Sequence, residues 1–192
     1  KVPGMSPMIS RYLQWQALGR VMSKLLFAER DGVQVLKLIG DVRVTLGPTI
    51  STFLTRLGES KTFKSIIIDL TETTGIDSTT LGLLAKISLT TQKSFSTIPT
   101  IISPNEDITR ILESMGFEKI FVILKELVTE CGQLGELHTE IVSESKLRKQ
   151  VLDAHRVLMS LNERNRGEFR DLVQALEDER VGESHEPRDR VA

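Results

Sequence analysis

A chain of 192 residues, 40% of them hydrophobic, holds enough apolar material for one ordinary domain with its own core plus an extension. Its 25 Lys and Arg against 26 Asp and Glu leave a net charge of −1, without the basic footprint of a nucleic-acid binder; no run approaches the ~18–20 consecutive apolar residues that span a bilayer. Neither nucleic acid nor a membrane is expected as a direct partner, and with one cysteine and three histidines neither an intramolecular disulfide nor a metal site is expected.

The first 21 residues carry Pro3, Gly4 and Pro7 with an isolated Tyr12 and Trp15, and share nothing with the pattern that follows. Residues 1–21 are expected to be a poorly ordered leader or appended sequence, with Met22 as the functional start. The stretch lacks the roughly 7–15-residue apolar core of a signal peptide, so a cytoplasmic protein is expected.

Leu25 to Glu29 and Val33 to Ile39 are strand-like and flank Asp31-Gly32, a strong two-residue hairpin signal. Pro48 suits the first turn of a helix that carries Ile50, Phe53, Leu54 and Leu57 and ends at Gly58. Ser65 to Leu70 reads as a strand, and its near-continuous Ile66-Ile67-Ile68 suits a central one buried on both faces. Leu81, Leu83, Leu84 and Ile87 then fit a helix with a broad apolar face. Further on come a strand around Thr100 to Ile102 and a helix from about Asn105 to Met115 ended by Gly116. A strand around Lys119 to Ile123 and a helix from Lys125 to about Leu137 follow, the latter with Cys131 packed on one face. This alternation predicts an α/β domain over residues 22–137, a mixed sheet of about five strands flanked by helices.

The remaining chain differs in kind. Leu147, Val151, Ala154, Leu158 and Leu161, spaced by four and three, mark one helix face, and the pattern resumes at Phe169, Leu172, Val173 and Leu176. The polar run Asn162 to Gly167 between them is either the turn of a helical hairpin or the weak middle of one long helix; a glycine costing ~1 kcal/mol does not decide. The predicted helical extension spans 138–181, with His155 as a polar flank. Its stripe needs a partner surface, which the α/β domain, its own second half, another protein or a second copy in a homodimer would supply. Residues 182–192 are charged and unpatterned, a disordered tail.

Between the central strand and its helix stands Asp77-Ser78. Asp just ahead of a helix is a preferred N-cap. A phosphate on the Ser78 hydroxyl would meet the unpaired N–H groups of the first helical turn and the positive end of the helix dipole, without a metal or a basic cluster. The position also lies at the carboxyl end of a central strand, where α/β folds place their sites. A catalytic role for Ser78 is not expected: His138, His155 and His185 fall in or beyond the last helices, and no Gly-x-Ser-x-Gly elbow surrounds it. A Gly-rich phosphate loop is absent too, so neither an enzyme nor a cofactor is expected.

Asp69-Leu70-Thr71, Ile76-Asp77-Ser78-Thr79 and Leu81-Gly82 together resemble the core of the STAS domain (sulphate transporter and anti-sigma-factor antagonist). Leu38-Ile39-Gly40-Asp41 is similar to that family's strand ending in Gly and an acid, and Ile111-Leu112 through Gly116-Phe117 to Ile120-Phe121 to its late helix, glycine turn and last strand. The resemblance runs from Lys24 to about Leu137. It implies that Ser78 is the phosphoacceptor, that Thr79 is a neighbouring hydroxyl, and that Asp77 and Asp41 support the phosphosite or partner docking. It also implies an anti-sigma factor or similar regulatory protein as partner, a serine kinase of the histidine-kinase-like ATPase type and a metal-dependent phosphatase. Thr80 stands where many relatives have Gly, which leaves the fold as expected, and Arg43 stands where a second acid often follows Asp41, which leaves the identity of the partner open. The alternative is a non-switching scaffold or oligomerisation module that uses its C-terminal helices.

Overall fold

The computed structural model describes residues 23–126 and 133–183, the last five by backbone alone. The expectations for residues 1–21, for Cys131 and for the tail from 184 onward fall outside the described residues. Strands β1 (Lys24–Arg30) and β2 (Val33–Val42) form the hairpin read from Asp31-Gly32. Both turn residues take positive φ, 54° and 84°, as a two-residue turn matched to strand twist requires. A 3-10 turn (Val44–Leu46) leads into α1 (Gly47–Glu59), which keeps Pro48 in its first turn and runs one residue past Gly58.

Strand β3 (Ser65–Ile76) lies parallel to β2, and the Asp77 cap joins it to α2 (Ser78–Phe95). Strand β4 (Thr100–Ile102), α3 (Glu106–Ser114) and β5 (Val122–Leu124) follow, then β6 (Gly135–Glu136). The six-stranded sheet has the order β5-β4-β3-β2-β1-β6, parallel from β2 to β5 and antiparallel around β1. Leu36, Leu38, Ile66, Ile68 and Leu70 pack under Ile50 and Leu57 of α1 and Leu81, Leu84 and Ile87 of α2, all buried. Among the described residues no helix is long and apolar enough to cross a membrane.

Three predicted elements differ. The central strand does not stop at Leu70; its polar continuation pairs with Ile39 to Val42 through two register shifts, each adding one residue to β3. The Asp69 carboxylate accepts from the Thr71 N–H at 2.8 Å and the Thr71 hydroxyl at 2.6 Å, and Thr73 donates to Leu38 O at 2.9 Å, so residues that read as a loop stitch a bulged strand. The strand expected around Lys119 to Ile123 begins only at Val122, because Phe117–Lys119 forms a 3-10 turn after Gly116, whose φ is 84°. The helix expected from Lys125 to about Leu137 is absent at both of its described ends, where Lys125 and Glu126 form a bend and Gly135–Glu136 is strand; residues 127–132 lie outside the described residues. At the second end β6 pairs with β1, and Leu137 N donates to Leu25 O, which satisfies backbone groups that a bare edge would leave open.

The C-terminal helices α4 (Glu144–Leu161) and α5 (Glu163–Glu183) form the hairpin, not one long helix. Asn162 breaks the run with an extended backbone and caps α5 by accepting from Asn165 N at 2.8 Å. Its amide and that of the fully buried Asn165 both donate to Met115 O, at 3.2 and 3.0 Å, which pins the turn to the end of α3. The stripe on α4 is used within the chain, with Leu152, Ala154 and Leu158 buried and Phe169 and Val173 of α5 beside them.

Candidate functional site

The bulged end of β3 carries the chain past the last pairing, Val42 with Ile76, before the helix begins. Asp77 turns it. Its N–H donates to Val42 O at 3.2 Å, its Oδ1 accepts from Thr80 N at 2.8 Å, and its Oδ2 accepts from Val44 N at 2.6 Å. The expected N-cap is therefore also a clamp across the junction, because one carboxylate satisfies a first-turn donor of α2 and the entrance of the turn after β2.

Ser78, Thr79 and Thr80 give three consecutive hydroxyls, and burial separates them. Ser78 is half-buried, whereas Thr79 is 5% exposed and Thr80 fully buried. The Thr80 hydroxyl has no hydrogen-bond partner, although its β-branched body fills the core position well. Of the three residues, Ser78 alone is partly exposed.

Its partner is a residue misread from the sequence. His155 is 2% exposed, not a polar flank, and its Nε2 lies 2.8 Å from Ser78 Oγ. The other ring nitrogen, Nδ1, lies 2.8 Å from Val151 O. A carbonyl only accepts, so Nδ1 carries a proton; in the neutral ring Nε2 is then the acceptor, and the Ser78 hydroxyl donates to it. The ring packs edge-on against Phe169, with centroids 5.1 Å apart. A signal did exist: Leu152, His155 and Leu158 are three apart and share a helix face, which the stripe chosen through Val151 and Ala154 passed over.

Two glycines bring α4 this close. A Cβ on Gly82 would lie 2.3 Å from Ala154 O, and one on Gly47 2.1 Å from Gln150 Nε2, so α4 rests on the backbone of α2 and on the start of α1. Gly82 thus has a steric reason, since no side chain fits between the helices. Asp41 and Arg43 form the adjoining rim, half-exposed and paired at 2.8 Å. The hydrogen bond and charge of Asp41 raise the Arg43 pKa further above its ordinary value. Asp41 does not touch Ser78; it stands opposite Gly75 in the strand register, on the same end of the sheet.

The Ser78–His155 pair supplies a neighbouring base that sequence reasoning had not found. It does not open onto the cavity of about 450 Å³ lined by Phe27, Gln34, Phe53, Arg56 and His138, which lies between β1 and α1. Among the described residues no group of three His, Cys, Asp or Glu is arranged to hold a metal ion. The geometry is that of a partly buried hydroxyl fixed between a capped helix start and a covering helix. A family model of the STAS domain matches residues 24–131. No curated protein matches the chain.

Proposed function

Because the chain belongs to the STAS-domain family, whose members are generally non-enzymatic regulatory domains, we propose that it is an anti-sigma-factor antagonist switched by phosphorylation of Ser78. The observation that carries this reading is the selective presentation of Ser78: at the start of α2, its neighbours Thr79 and Thr80 are buried while it is half-exposed. The unmodified edge, with Asp41 and Arg43 beside it, docks an anti-sigma factor or a comparable regulatory protein. A serine kinase moves the γ-phosphoryl group of ATP to Ser78 Oγ, with loss of the hydroxyl proton and departure of ADP, and a phosphatase hydrolyses the ester.

The switch works by local electrostatics. A phosphate carrying nearly two negative charges is held by the first turn of α2 in the free protein but must be desolvated in a complex. Driving a partner from mostly bound to mostly free takes about 3–5 kcal/mol of differential binding, on the scale of one buried, unpaired charge. Asp77 holds the helix start in place, and Thr79 is a bystander hydroxyl. These events belong in the cytoplasm, where ATP-dependent kinases act. The scaffold alternative has less support, since the apolar face of α4 is already buried within the chain.

The test compares the proteins that co-purify with the parent chain, Ser78→Ala and Ser78→Asp, followed by calorimetry on the partner recovered. The Asp variant should lose about a hundredfold in affinity or more, while Ala retains binding. Equal binding by all three sinks the switch. Thr79→Ala should still be phosphorylated, and a phosphate mapped to Thr79 alone would move the site.

A further inference from the structure

The Ser78 hydroxyl is not free in the unmodified protein: it is the hydrogen-bond donor to a buried histidine on the C-terminal hairpin. We propose that closure of α4 over α2 and a phosphate on Ser78 exclude each other, so that phosphorylation releases the C-terminal hairpin. The inference rests on Ser78 being the phosphoacceptor and assigns the regulation of that same site.

The argument has a chemical part and a steric part. Phosphorylation replaces the hydroxyl proton by a phosphoryl group, so Oγ no longer donates. Nε2 of His155, an acceptor in the closed form, then faces anionic oxygens that only accept, at a contact that is already partly buried. The phosphorus and its three terminal oxygens also need room within a contact of 2.8 Å. The ring has nowhere to retreat, with Val151 O holding Nδ1 on one side and Phe169 against the ring on another. Nor can α4 approach α2 more closely to make room, because the Ala154 backbone already lies against Gly82. At this one backbone-to-backbone contact the packing has no slack, so the added volume is relieved by separation of the helices.

The consequence fits the switch. In the unmodified protein, the start of α2, the Asp41–Arg43 rim and α4 make one composite surface. Phosphorylation adds charge to that surface and also removes one wall of it, which increases the difference in partner affinity between the two states.

The full chain with phosphoserine incorporated at position 78 during translation, compared with the unmodified chain by hydrogen exchange, tests this without a partner or a kinase. Amides of α4 from Leu152 to Leu158 should exchange at least tenfold faster in the phosphoprotein, those of β2 and β3 should be unchanged, and phosphatase treatment should restore protection. Unchanged or slower exchange in α4 overturns the proposal; slower exchange would mean that a protonated His155 clasps the phosphate. Gly82→Ala, which pushes a methyl into Ala154 O, should open α4 in the unmodified chain and abolish any further effect of phosphate. A persisting tenfold phosphate effect in that variant would also overturn it. The two readings fail separately: a partner that responds to Ser78 while α4 stays closed leaves the switch and removes the release, whereas an opening hairpin with an indifferent partner does the reverse.

Discussion

Ser78 is held from two sides that are built in opposite ways. On one side Asp77, its sequence neighbour, binds backbone N–H groups of α2 and of the turn after β2, and so belongs to the framework that joins the sheet to its helices. On the other side His155, 77 positions away, reaches it from a helix that is seated on Gly82 and adds Ala154 and Leu158 to the core. The first arrangement cannot be undone without disturbing the junction itself. The second involves no backbone pairing with the sheet and depends on packing and one side-chain hydrogen bond, so its loss is expected to leave the sheet paired.

The sharpest way to break this contrast is Asp77→Ala. It removes the helix cap and strands the Val44 N–H, and should cost about 2–3 kcal/mol of global stability, read from urea unfolding. A loss under about 0.5 kcal/mol would show that the clamp is incidental. His155→Ala should cost less, about 1–2 kcal/mol for a lost hydrogen bond and ring packing, and the damage should be local. Hydrogen exchange should show reduced protection in α4 and α5 with the β2–β3 pairing unaffected; uniform loss across the sheet would place the hairpin in the same cooperative unit as the core. The smallest effect has the opposite sign. Thr80→Val replaces a fully buried, unpartnered hydroxyl by a methyl of similar size and should stabilise by about 1 kcal/mol, seen as a higher Tm. A destabilised variant would reveal a bridging water on that oxygen.

Local rules made much of this molecule legible in advance. The left-handed turn at Asp31-Gly32, the buried strand at Ile66 to Ile68, the Asp77 cap and the place of Ser78 at the start of a helix follow from preferences that act within a few residues. Tertiary structure decided what lies beyond that range. Thr71 to Gly75 are polar and turn-like alone but become strand because β2 offers a ladder of backbone partners. Gly135-Glu136 becomes strand because β1 would otherwise keep an open edge. Asn162 is a hairpin corner because Met115 O lies within its reach, and His155 is a core residue because Gly82 lets α4 settle onto α2. The chain alone determined that a hydroxyl stands at a capped helix start. Only the fold determined what covers it, because a contact across 77 residues depends on the packing of every element between them.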